Sequence, residues 1–189
     1  VLATYLSETY GMQPTEIGAV ASLFPLVAVP AVIGGGYVES NITPSQKTWW
    51  YTLTQIVSVG TLIVLSNKPS KSVVPALLLL TMAGIAPAFY VVPSNWLIKF
   101  GGERFSGTYN GWLDFPGNFV TTLVYAAFPY LKSRGGWSTI LRFYSGLTAL
   151  GTLSFLLFSV LDARKPMDES PYDILIAKKR KELLDSKRL

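Results

Sequence analysis

The sequence predicts an all-α protein, a polytopic bundle of about six transmembrane helices in which the first helix is truncated. Half of its residues are hydrophobic (50%) and only 14% are charged, whereas a soluble domain averages about 25% charged residues. The mean hydropathy is +0.37. The apolar residues also gather in runs of about 20, the length that crosses a bilayer. These observations predict an integral, multi-pass membrane protein.

The residue types that are missing exclude several kinds of chemistry. The chain has no Cys and no His, which excludes disulfides and most zinc sites and removes the commonest general base. The sequence contains neither a Walker A motif nor carboxylates at the spacing of a metal site. We therefore expect a protein that is not an enzyme and that holds no cofactor and no metal.

The first element is a partial helix over 1–13, which has no basic region of the kind that opens a signal peptide. We read it as the end of a helix, so we expect the chain to be one half of a larger protein. The first complete span is 16–37, with Thr15 as its N-cap. The second is 49–66, which opens on two tryptophans typical of a membrane interface.

Three more spans follow, at 72–98, 105–131 and 137–161. The membrane half-bundle therefore covers 1–162 and leaves a polar tail at 163–189. Eight of the 16 Lys and Arg residues lie in this tail, and basic residues mark the cytoplasmic side. We expect a cytoplasmic C-terminus in contact with an anionic leaflet rather than with nucleic acid.

Prolines divide the five complete spans into two kinds. The spans 16–37, 72–98 and 105–131 contain proline, whereas 49–66 and 137–161 do not. A proline inside a helix frees a backbone carbonyl, which at membrane depth needs a neighbouring helix or water. We therefore expect the three proline-containing spans to line the interior and the other two to face lipid.

One face of the span 105–131 is polar. Its members recur every three or four residues and are Asn110, Asp114, Asn118, Thr121 and Tyr125. A carboxylate and amides at bilayer depth are costly unless they face protein or a wet cavity. The pattern favours the path of a small-molecule solute, along which Asp114 could bind a proton or a cationic group. The alternative is that these side chains hold packed helices together.

Two further groups of candidates lie near helix ends. Tyr90 and Ser94 are candidates for the solute path, with anchoring at the membrane interface as the alternative. Candidates for gating or close helix packing are small or charged residues: Gly35, Gly36, Glu39, Arg104, Gly107 and Gly111.

Three stretches resemble one known family. Residues 9–18 are similar to the external loop between the seventh and eighth helices of major facilitator superfamily transporters. Residues 35–40 are similar to the degenerate signature after the eighth helix, with Ser40 where the family usually has Arg. Residues 100–108 are similar to the loop that enters the eleventh helix. The chain thus resembles the C-terminal six-helix half of such a transporter.

This resemblance implies secondary active transport of a small solute by alternating access. The implied partners are that solute, the lipid bilayer and the N-terminal six-helix half of the same protein, with no nucleic acid. Residues 111–118 also resemble the organic phosphate and organic anion branch, which implies an organic anion or a phosphate ester as solute. The alternative function is a non-transporting receptor or scaffold that retains the same helical fold.

Overall fold

The structure is a computed structural model that describes residues 1–163, without the side chains at 44, 92–107, 109, 112, 113, 116, 162 and 163. The predicted tail at 163–189 therefore lies almost wholly outside the described residues. Within residues 1–163 all regular structure is helical. The helices are α1 (Leu2–Tyr10), α2 (Pro14–Asn41), α3 (Pro44–Ser66) and α4 (Val74–Ala163). An all-α chain is what the composition predicts.

Capping residues set the start of α2. Gln13 is the N-cap, and the Glu16 carboxylate accepts a hydrogen bond of 2.8 Å from its backbone N–H. The prediction of Thr15 as N-cap is wrong, because Pro14 takes the first helical position, where its missing N–H costs nothing. The chain enters this cap through Gly11, whose φ of 61° closes α1 in the left-handed region.

A second capping box sets the start of α3. The backbone N–H of Thr43 donates to Gln46 Oε1 at 2.9 Å, and the backbone N–H of Gln46 donates to Thr43 Oγ1 at 3.4 Å. The helix therefore begins at Pro44, five residues before the predicted start of the span 49–66. Only Ile42 and Thr43 separate it from α2.

The last helix, α4, continues through both segments that the predicted spans leave as loops, 99–104 and 132–136. Its path nevertheless reverses at Gly136, which has a φ of 64°. The rings of Phe128 and Trp137 lie 5.4 Å apart, whereas nine residues of straight helix would separate them by about 13.5 Å. We infer that two legs of α4 meet at this glycine.

A second reversal lies earlier in α4. Val74 and Phe128 contact the same hydrophobic core, although a straight helix would hold them about 80 Å apart. The path therefore turns back between Val91 and Phe128. The first leg (74–91) and the last leg (137–161) both run antiparallel to α3. Thr61 contacts Thr81 and Gln55 contacts Gly84 in the first leg, while Ser66 contacts Ser138 and Val59 contacts Ser145 in the last, so the numbering rises along each leg as it falls along α3.

The apolar core lies at one end of the bundle. This Ser66 end is formed by residues 2–20, 62–75 and 128–142. The core side chains are buried and come from all four helices and, at position 12, from the connection between α1 and α2: Tyr5, Leu6, Met12, Val20, Leu62, Leu65, Val74, Trp137, Ile140 and Leu141. The Tyr5 hydroxyl donates to the carbonyl of Leu65 at 3.3 Å, so a polar contact joins α1 to α3 inside this core.

Four stretches are long and apolar enough to cross a membrane, within the part of the chain that the structure describes. They are Pro14–Asn41, Ser45–Ser66, Val74–Val91 and Gly117–Leu161. The last stretch has 45 residues, or about 67 Å of helix. It is long enough for two passes through a hydrocarbon core of about 30 Å, consistent with the reversal at Gly136.

The two faces of α3 differ in chemistry. One face exposes apolar side chains: Trp49, Leu53, Ile56, Val57, Ile63 and Val64. The other lies between the first and last legs of α4, where Ser58 and Thr61 are buried. Lipid contact by the span 49–66 stays a prediction, and it applies only to the exposed face.

Candidate functional site

The five members of the predicted polar face lie on α4, and all five are exposed. The Asn110 amide donates to Asp114 Oδ2 at 2.8 Å, one turn further along the helix. Thr121 donates to the carbonyl of Gly117 at 2.8 Å, a bond within its own helix. In this chain the polar face therefore presents its groups outward.

The opposite face of the same stretch is apolar. Phe115, Phe119, Val120 and Leu123 are at least half exposed there. The stretch 108–126 thus presents a polar face on one side and an apolar face on the other. A helix with two such faces fits a position between a wet or protein surface and a less polar one. The structure does not describe the side chains of Ser94 and Arg104 or the contacts around Gly107.

The glycine candidates differ in how closely they are approached. A Cβ at Gly35 would lie 2.9 Å from Pro87 Cβ, so α2 and the first leg of α4 come together there. At Gly36 and Gly111 nothing lies within 4 Å of the corresponding position. Close packing at Gly111 therefore stays a prediction that requires a partner other than the described residues.

Glu39 and Tyr90 have different surroundings. Glu39 is 8% exposed, and its Oε1 lies 3.8 Å from the Lys47 ammonium in the first turn of α3. This pair joins α2 to α3 across the short connection between them. Tyr90 is half-exposed, near the end of the first leg of α4.

A buried polar seam between α3 and the first leg of α4 was not predicted from the sequence. Thr61 Oγ1 and Thr81 Oγ1 lie 2.6 Å apart, and Ser58 donates to the carbonyl of Thr81 at 3.2 Å. Gln55 donates to the carbonyl of Gly84 at 3.0 Å. The signal was present in the sequence, because residues 55, 58 and 61 recur every three positions on one helix face.

Ion pairs at the Ser66 end were also missed. The Glu8 carboxylate accepts from Lys132 Nζ at 2.8 Å and from Trp137 Nε1 at 2.8 Å. Glu8 lies outside the candidate spans, and the hydrogen bond from Lys132 lowers the pKa of its carboxyl below the ordinary value, with a smaller contribution from Trp137. A second pair joins Glu16 to Lys71 at 2.8 Å. These charged residues stand singly in the sequence, so no spacing pattern indicated which of them would pair.

A family model of the Major Facilitator Superfamily matches residues 1–185. The chain belongs to the major facilitator superfamily. No curated protein and no solved structure matches it. The superfamily match covers every helix described above, together with the polar face and the Ser66 end.

Membership of the major facilitator superfamily supports an integral multi-pass membrane protein that serves transport in general. It agrees with the four stretches that are apolar enough to cross a membrane. The family also points to a transporter rather than an enzyme. The match is to the superfamily as a whole, so the organic phosphate and organic anion branch stays a prediction.

Proposed function

We propose that this chain supplies one wall of the solute path in a secondary transporter that works by alternating access. The observation that carries the proposal is the exposed polar face between Asn110 and Tyr125. Fifteen residues of helix separate these two positions, or about 22 Å, a large part of a hydrocarbon core of about 30 Å. A polar face of this length suits a path that a solute follows through the membrane.

Exposure to lipid is a poor alternative for this face. An Asp at the centre of a membrane helix costs about 2.5–3.5 kcal/mol on insertion scales. The face therefore needs water or another protein surface beside it. In our proposal that surface is the N-terminal six-helix half of the same protein, and the solute binds between the two halves.

The chemistry of the polar face limits the solute. It carries one carboxylate, Asp114, and no cation. Asp114 accepts the hydrogen bond from Asn110 on Oδ2, so Oδ1 can take a proton or a donor group of the solute. If the solute is an organic anion or a phosphate ester, the cations that bind it would be side chains of the other half. A proton on Asp114 would remove the repulsion of such a solute, and we therefore infer coupling to protons if the solute is an anion.

The test is uptake by the full-length protein in proteoliposomes, with a panel of neutral, cationic and anionic solutes and a pH gradient of either sign. In Asp114→Asn the side chain keeps its size and hydrogen-bonding capacity but loses its charge. We expect normal expression and loss of gradient-driven accumulation. Glu16→Gln is the matched control, because it makes the same acid-to-amide change away from the polar face.

Near-normal, pH-dependent uptake by a well-expressed Asp114→Asn protein would contradict the proposal. The polar face would then hold helices together, through hydrogen bonds of about 0.6 kcal/mol each. Absence of uptake for every solute by the unaltered protein would favour the alternative, a receptor or scaffold with the same fold.

A further inference from the structure

Arg142 occupies an unusual position, because it is an exposed cation within a candidate membrane span. Its Nε donates to Ser66 Oγ, and its Nη2 donates to Asn67 Oδ1, both at 3.4 Å. These contacts tie the guanidinium to the last residue of α3 and to its C-cap. They use two of its five N–H donors, which leaves three for another group.

The charges at the Ser66 end do not balance. Five basic residues lie there in the sequence against two acids, Glu8 and Glu16. Glu8 pairs with Lys132, and Glu16 pairs with Lys71. Within the part of the chain that the structure describes, these pairs leave three cations without a carboxylate: Lys68, Arg134 and Arg142.

Two of the three remaining cations lie near the end of α3. Arg142 contacts Asn67, and Lys68 follows Asn67 directly. Lys68 is exposed and has a φ of 53°, a conformation uncommon for a residue other than glycine. The third cation, Arg134, lies elsewhere, over the ring of Tyr130 at 5.0 Å.

The surface next to Arg142 is apolar. Gly146, Leu150, Leu153 and Leu157 follow it on one exposed helix face at intervals of three or four residues. Leu150, Leu153 and Leu157 are each more than 60% exposed, as suits a face covered by acyl chains. Arg142 stands at the head of this face, and a long basic side chain in such a position can extend its charge to the lipid phosphates.

We propose that Lys68 and Arg142 form a binding site for the phosphate of a membrane lipid headgroup. The guanidinium, held by Ser66 and Asn67, offers a planar set of donors that matches phosphate oxygens. Lys68 adds a second charge, and the apolar face below Arg142 receives the acyl chains. The site takes a lipid rather than a free anion because this apolar face continues directly from the cation.

The test is native mass spectrometry of the purified chain in detergent, titrated with phosphatidylglycerol. Lys68→Gln and Arg142→Gln should each weaken lipid binding about fivefold. Arg134→Gln is the matched control, because it removes one exposed charge at the same end without touching the proposed site, and it should leave binding unchanged. A glucosyl diacylglycerol with the same acyl chains carries no phosphate, and its binding should not respond to either variant.

Several results would overturn the site. Equal weakening by Arg134→Gln would indicate general attraction between charges, and equal weakening for the glucosyl lipid would exclude phosphate recognition. Displacement of the lipid by millimolar inorganic phosphate would indicate a site for free anions. Circular dichroism checks the fold of each variant. If Arg142→Gln fails to fold, Lys68→Gln decides the matter, because Lys68 lies outside the helices and is exposed.

Discussion

Replacement of Gly84 by alanine tests the close contact between α3 and the first leg of α4. A Cβ at Gly84 would overlap Ser58 Oγ and lie 2.6 Å from the backbone carbonyl oxygen of Thr54. Overpacking of this kind costs about 1–3 kcal/mol. Alanine also gains up to about 1 kcal/mol over glycine in any helix. The control is Gly60→Ala on the exposed face of α3, where nothing lies within 4 Å. Gly60→Ala gains the same helix stability from the added methyl group, so the difference in stability between the two variants is the steric cost at Gly84.

The assay is thermal unfolding of the two purified variants in one detergent at one scan rate, since unfolding of such proteins is commonly irreversible. At about 2–4 °C for each kcal/mol, the apparent Tm of Gly84→Ala should lie about 2–12 °C below that of Gly60→Ala. Adding Ser58→Ala should restore part of the difference, because the Thr54 carbonyl remains. Equal Tm values for the two glycine variants would refute the contact.

Two further predictions concern charge. Glu8→Gln should lower the apparent Tm at pH 7. Because the native pKa of Glu8 lies below its ordinary value, the stabilisation is present above the ordinary pKa and is lost as the pH falls through the lowered one. The difference from the unaltered chain should therefore shrink in acid, and a difference independent of pH would contradict the role of Lys132. The tail should be inaccessible to protease and antibody in intact cells until the membrane is permeabilised, because its basic residues favour the cytoplasm. Labelling of the tail in intact cells would show the opposite orientation. An organellar protein requires the same test on isolated organelles.

The apolar runs predicted where the chain could cross a membrane, but they did not predict where the helices begin. Hydropathy responds to the apolar interior of a span, whereas helix starts depend on caps such as Thr43 with Gln46. Hydropathy therefore predicts the start of α3 five residues too late. The predicted loop at 132–136 also differs from the structure, because a single glycine, Gly136, makes the turn.

The polar face was predictable because Asn110 and Asp114 stand one turn apart, and the structure joins them by a hydrogen bond. Periodicity shows only that residues lie on the same side of a helix, so it does not predict what the polar face contacts. The prolines do not indicate the seam on α3, because they distinguish whole spans and not the two faces of one span. Within 49–66, Ser58 and Thr61 lie on a buried face, whereas Ile56 and Ile63 lie on an exposed one.

The polar seam also bears on how the protein enters its membrane. The span in α3 is the least hydrophobic of the four candidates, with a mean hydropathy of 1.2 against 2.1 for Pro14–Asn41 and 1.9 for Val74–Val91. Alone in lipid, α3 would present Gln55, Ser58 and Thr61 to acyl chains, where polar groups are expensive. Ser58 and Thr61 also have acceptors in their own helix, so the cost falls mainly on the Gln55 amide. The first leg of α4, which follows after residues 67–73, supplies the carbonyl that Gln55 reaches and further partners for the two hydroxyls. The two segments should therefore leave the translocon as a helical pair, so that insertion of the later one completes the integration of the earlier one.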